Sequence, residues 1–371
     1  METKKLFINV KLKATFIFTM AFLMSVMLNC VGQKHNEIVK NAYELRMDGQ
    51  ADSAKVLLEK SLKKDSISAL VWFELCRTNQ HIGLANPRKM VESMDEILHQ
   101  VNMAVKFDSE NVYYLSYRGS IEVLNLYMSL MTGKNDGKDK LTKVEKTYNA
   151  VLKLKPDYYE VKLTLVELFG ALPEDKGGDK VKAEKYATEL EKEDVLHGAK
   201  AREILMNEND DKIAFWESIN KKLPDNSDVY EAMGRSYLHK NKSEEAKKCF
   251  KKAIALNTEK STLHLELGRY YMMQAMRNAK VLDSITPLIE EEFNKYLSCK
   301  PEANKPTQAW VVGNLAKIKY RTGDKEAGKK LMDKANGLDL FFSKAFAVPN
   351  QALFSPPGKI VRWHSYYFRP F

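Results

Sequence analysis

Glycine and proline are scarce in this chain, with 17 and 11 among 371 residues. So few backbone breakers exclude a collagen-like or low-complexity protein and leave room for long helices. Alternating Val, Ile and Thr are equally sparse, and no segment reads as a strand with a hairpin turn. There are four cysteines, and the three beyond Cys30, namely Cys76, Cys249 and Cys299, show no CxxC spacing. Three thiols do not close into a paired framework, so they read as buried free side chains. Catalytic signatures are missing as well: there is no HExxH, no GxSxG and no Cys/His set at metal spacing. The stretch "GKNDGKDK" from Gly133 has one residue too few between its glycines for a phosphate loop, and Asp139 replaces the required Ser or Thr. No catalytic residue, metal or cofactor is expected.

What is present is 44% hydrophobic and 29% charged, with Lys and Glu interleaved along most of the body. That is the composition of an ordered, helix-rich, all-α protein. The formal net charge is +10, and Lys4, Lys5, Lys11 and Lys13 hold part of it at the extreme N-terminus. The rest is dispersed without a basic-aromatic motif, so no nucleic-acid partner is expected.

The first thirty residues have a basic start and then an uncharged apolar run from Ala14 to Leu28, followed closely by Cys30. Fifteen apolar residues fall short of the ~20 that span a bilayer and suit a signal-peptide core. The segment resembles a bacterial lipoprotein signal, with Asn29 departing from the small residue that family prefers before its lipidated cysteine. The resemblance implies a signal peptide over residues 1–29, lipidation at Cys30 and a short linker at 30–34. It also implies export to the cell envelope, with an anchor in the outer membrane.

A repeat organises the body. "DVYEAMGRSYLHKNKSEEAKKCFKKAIALN" from Asp228 places Tyr230, Met233-Gly234 and Tyr237 on one helix and Ala246, Phe250 and Ala253 on the next. Leu267-Gly268 and Tyr271 repeat the first set 34 residues later. Small residues at Gly234 and Gly268 allow helices to approach, while Phe250 fills the space between them. Ser243 followed by Glu244 and Glu245 reads as an N-cap with acidic first-turn residues. This spacing resembles the tetratricopeptide repeat. The resemblance implies a right-handed superhelical solenoid of about eight helix-turn-helix pairs over residues 35–340. Insertions fall near Leu84–Pro87, Thr132–Lys140, Pro173–Gly178 and Lys280–Thr286. In a solenoid these map to loops or lengthened helices.

In that family the first helices line a concave surface. One row there reads Arg77, Ser120, Glu167, Ala201, Arg235, Arg269 and Lys317, with Phe73, Tyr113, His239, Met272, Met273 and Trp310 beside it. The candidate groove residues are Arg77, Arg235, Arg269, Lys317, His239, Met272 and Trp310, a set suited to an acidic peptide partner. The alternative is that these cations pair with Glu231 and Glu266 on neighbouring turns. The loop "PEDKGGDK" offers a second candidate, a rim anion site at Gly177, Gly178 and Lys180, with Asp179 as helix N-cap.

From residue 341 to 371 the character changes to nine aromatics, four prolines, four Lys/Arg and no acid. Such a segment needs burial. It reads as a tail capping the last pair, with Trp363, His364 and Arg369 as candidate contacts. The functional expectation is a non-catalytic envelope scaffold for protein partners. The alternatives are a glycan- or nutrient-binding lipoprotein similar in architecture to the starch-utilisation family, and an enzyme or enzyme subunit.

Overall fold

A computed structural model describes residues 36–345, and these form sixteen α-helices with no strand among them. Cys30 and the tail residues Trp363, His364 and Arg369 lie outside the described residues. Helix α1 covers 36–47, followed by α2 (Ala51–Leu62), α3 (Ala69–Leu84), α4 (Pro87–Phe107), α5 (Val112–Met131) and α6 (Gly137–Leu154). Then come α7 (Tyr159–Ala171), α8 (Lys180–Glu193), α9 (Val195–Leu205), α10 (Lys212–Lys222), α11 (Ser227–His239) and α12 (Ser243–Leu256). The last four are α13 (Thr262–Arg277), α14 (Leu282–Ser298), α15 (Lys305–Arg321) and α16 (Lys325–Leu338). They make eight consecutive pairs, and the architecture is an all-α solenoid.

The helices begin where the side chains can satisfy the first exposed N–H groups. Asn86 accepts from Arg88 and Lys89, Asn111 from Tyr113 and Tyr114, and Asn226 from Asp228 and Val229. Ser243 differs from the expected cap: it is the first residue of α12, after Lys242, and no side chain caps that helix. The acidic pair Glu244 and Glu245 is then left to stabilise the helix start through the dipole.

Within the pairs, an aromatic of the second helix lies on a glycine of the first. A Cβ at Gly119 would sit 2.1 Å from the Tyr148 ring, one at Gly234 2.3 Å from Phe250 and one at Gly268 2.4 Å from Phe293. Any side chain there forces the helices apart. The insertions appear as lengthened helices, such as the 21-residue α4, and as short 3-10 turns at Glu174–Lys176 and Ala279–Val281.

The fifth pair departs from this pattern. Helix α9 packs on α7 and α8, whereas α10 packs on α11 and barely touches α9. Leu163, Val166, Ala187, Leu190 and Ala201 form one apolar cluster, and Ala199 of α9 joins Trp216, Ile219, Val229 and Ala232 in another, so α9 contributes to both.

The eighth pair returns to the first. Gly49, in the turn between α1 and α2, has φ +80°, and a Cβ there would meet the Leu338 carbonyl oxygen at 2.1 Å. Lys305 at the start of α15 forms an ion pair with Asp48. Asp339, itself buried, caps the N–H groups of Phe341 and Phe342 at 2.7 and 3.0 Å. Phe342 is fully buried with its ring 4.6 Å from that of His81 on α3. The opening residues of the tail therefore fill a seam between last and first pairs rather than cover an open end. The solenoid closes on itself.

Gly234→Ala is expected to lower stability by about 1–3 kcal/mol, the usual cost of overpacking. Gly337→Ala, on α16 with nothing within 4 Å, is expected to raise stability by about 0.5–1 kcal/mol through helix propensity. Thermal unfolding followed by circular dichroism checks both signs, and equal shifts would contradict the packing account.

Candidate functional site

The first helices of successive pairs face one another along the inside of the ring. Phe73 of α3 lies 5.1 Å from Tyr113 and 5.0 Å from Tyr117 of α5, ring to ring. Ser116 of α5 donates to the hydroxyl of Tyr158, just before α7, at 3.3 Å. Tyr159 of α7 packs 4.8 Å from His197 of α9. Lys200 of α9 bonds Asp228 of α11 at 2.9 Å, and Arg235 of α11 reaches Glu266 of α13. An inner face thus runs unbroken from α3 to α13, aromatic at one end and ionic at the other.

The predicted cations lie along it, mostly engaged with neighbouring acids. Arg77 is buried: Glu74, one turn earlier, approaches its Nη1 to 3.2 Å, and the Tyr43 and Phe73 rings flank the guanidinium. Glu74 also accepts from Arg46 at 3.0 and 2.9 Å, so one carboxylate serves two arginines in the interior. Arg235 donates Nε and Nη2 to the two oxygens of Glu266, both at 2.9 Å, and meets Glu231 at 2.6 Å. Burial opposes its charge, but the two carboxylates outweigh that and hold the guanidinium protonated.

At Arg269 and Lys317 the effect of burial is the larger one. Burial pulls the Arg269 group below its ordinary value and Glu266 offsets only part of this. Burial also lowers Lys317, with repulsion from Arg321 adding to it. The Lys317 ammonium donates to the Lys344 and Ala345 carbonyls at 3.5 and 3.3 Å, so it holds the chain leaving α16. His239 is exposed at the end of α11, Met272 is half-buried and Met273 is exposed. Trp310 does not face the groove. It is 1% exposed and packs edge-on to Phe293 at 5.7 Å, because its helix turns that side into the α14–α15 interior.

The rim site dissolves on geometry. The N–H of Gly177 donates to Glu174 at 3.0 Å and that of Gly178 to Pro173 at 2.9 Å, which uses both donors within the loop. The Asp179 carboxylate occupies the start of α8, accepting from Val181 and Lys182 at 3.0 Å. A negative group there repels an anion, and Lys180 projects into solvent alone. Glycine and Asp serve the turn.

Glu231 and Glu266 pair with Arg235, as expected for acids on neighbouring turns. Glu74 was missed, although its place three residues before Arg77 was an available signal. His81 and Asp339, with Nε2 and Oδ2 3.8 Å apart and both buried, carried no signal because 258 residues separate them. The thiols are inert by environment. Burial pushes Cys76 far above its ordinary range and Cys249 to about 11. Among the described residues no cluster of His, Cys, Asp and Glu is arranged to hold a metal, and no helix is long and apolar enough to cross a membrane.

Residues 227–260, the span of α11 and α12, match the family model for the tetratricopeptide repeat. The chain contains a repeat of that kind. A tetratricopeptide repeat protein from Parabacteroides merdae is 16% identical with a TM-score of 0.38, over 82% of this chain and 99% of its own. A human IFIT1 dimer with PPP-AAAA is 14% identical with a TM-score of 0.37, over 83% of this chain and 81% of its own. No curated protein sequence matches the chain.

Arg235→Ala strands Glu266 in a largely buried position while Glu231 keeps Lys260, and about 2–4 kcal/mol of stability is expected to go with it. The double variant Arg235→Met with Glu266→Leu should recover most of that loss. Urea unfolding of the three proteins measures it, and an unaffected Arg235→Ala midpoint would show the pair to be ornamental.

Proposed function

We propose that the protein is a non-catalytic, lipid-anchored scaffold of the bacterial cell envelope, whose ring binds an extended segment of a partner protein along its inner face. The observation that carries this reading is the row of first helices linked by aromatic and ionic contacts from α3 to α13. Large rigid aromatics and adaptable Met side chains give contact area to a peptide, and the ionic groups fix its direction. The tetratricopeptide repeat over residues 227–260 supports a scaffold role. The lipoprotein-like start of the chain supports the envelope location, with Cys30 as the residue that takes the lipid.

Arg269 and the neighbouring Met272, both on α13, are the groove residues we assign to an acidic group of the partner. An acidic group of the partner docks at that point, and the rest of its segment is held by apolar contact.

The test uses the full chain in its native membrane. Labelled palmitate should be incorporated and lost on Cys30→Ser. Affinity capture from envelope extracts should recover the same defined proteins repeatedly, and Arg269→Ala should weaken that recovery several-fold with the melting temperature nearly unchanged. Glycan binding by calorimetry with no protein recovered would replace this reading with the nutrient-binding one.

A further inference from the structure

His81 lies in the seam where the two ends of the array meet. It belongs to α3 and is 0% exposed, with the Phe342 ring 4.6 Å from its own and Asp339 Oδ2 3.8 Å from its Nε2. Asp339 in turn holds the N–H groups of Phe341 and Phe342 through Oδ1. One titratable ring of the second pair thus adjoins both the acid that shapes the turn after α16 and the aromatic that fills it. Gly49 against Leu338 and the Asp48–Lys305 ion pair belong to the same junction.

The charges that act on His81 come from both sides of the seam: Arg46 of α1, Glu74 of α3 itself and Asp339 beyond α16. Glu74 is shared between Arg46 and Arg77. On the α4 side, Glu96 accepts from Asn79 at 3.0 Å and pairs with Lys55 of α2, while Met90 and Met94 pack into the core. Lys317 of α15 is turned to the Lys344 and Ala345 carbonyls. Within this buried group the guanidiniums of Arg46 and Arg77 balance the carboxylates of Glu74 and Asp339, so a proton on His81 makes it net positive. Burial, the largest effect, and Arg46 hold the imidazole below its ordinary range, and Asp339 and Glu74 offset only part of this. Parting the seam returns water to the ring. A histidine that takes its proton more readily open than closed couples opening to acid. Its support for closure is fully present above the ordinary histidine value of about 6.5 and is lost as the pH falls below it.

We propose that His81 is a proton-operated latch on the ring: its protonation in mild acid parts the segment after α16 from α3 and opens the junction between the eighth pair and the first. Phe342 and Asp339 leave together, because the same carboxylate caps the turn that presents the Phe342 ring and faces the histidine. The molecule is then a closed ring near neutral pH and an open array in acid. The latch goes beyond the scaffold reading and is built into the chain alone, so it needs no partner.

Hydrogen–deuterium exchange on the full chain, corrected for the intrinsic pH dependence of amide exchange, tests it. Between about pH 7.5 and about pH 5.5 the opening equilibrium at the seam should rise roughly tenfold, as the protonation of a histidine of ordinary affinity dictates. Peptides covering residues 338–345 lose that much protection while α11 and α12 keep theirs. His81→Leu and His81→Gln, which lack the titrating ring, should each hold seam protection constant over the same range. Should neither variant close, nuclear magnetic resonance of the imidazole-labelled native chain decides, because His81 must gain its proton in step with the loss of protection. Unchanged seam protection in acid, an equal acid loss in a closed variant, loss that spreads equally to α11 and α12, or an imidazole that stays neutral while the seam opens would each overturn the proposal. Partner capture enters none of these measurements, so the scaffold reading and the latch fail separately.

Discussion

Each helical pair has two apolar flanks, and a pair with only one neighbour leaves the other flank in water. The need to cover both is the constraint from which the rest of this structure follows. Interior pairs satisfy it by stacking, as expected for a repeat array. The two terminal pairs satisfy it by meeting each other. The turn at Gly49 admits the Leu338 carbonyl without a side chain in the way, and Phe342 fills the space beside His81. Burial of an aromatic of this size contributes about 1.5–3 kcal/mol. It acts on a contact that joins the two ends of the array, and its effect is therefore shared by all eight pairs.

Closure changes what the inner surface is. In an open array the first helices line a shallow concave strip, whereas here they enclose it. Charges turned inward lose water and must find partners, and Arg46, Glu74 and Arg77 answer this with a three-membered buried group. Arg235 does so with Glu231 and Glu266. These pairings hold neighbouring first helices in register. Helices α9 and α10 have only 11 residues each and touch little along their length, and Ala199 and Trp216 are members of one apolar cluster that still spans them.

Much of this was legible in the sequence, and the parts that were share a cause. The 34-residue period, the small residues at Gly119, Gly234 and Gly268, and the capping Asp179 are local facts, and local packing fixed their outcome. The pairing of Arg235 with Glu231 and Glu266 was legible too, since one acid stands four residues away and the other on the next first helix. The Arg46–Glu74–Arg77 group was not, because Arg46 is brought up by packing from the first pair. Trp310 was assigned inward from its place near the row, yet an indole is large enough to be claimed by whichever side is more apolar. The closure was illegible, since nothing near Gly49 or Phe342 records that they meet.

The closure is also the claim most exposed to direct measurement. Spin labels at Gln50 and Leu340, both exposed beside the seam, report the distance between the two ends of the array by pulsed electron resonance. The closed ring predicts one narrow distance of no more than about two helix widths, ~20–24 Å, lengthening and broadening on Phe342→Ala. A broad, long distribution in the unaltered chain would contradict it.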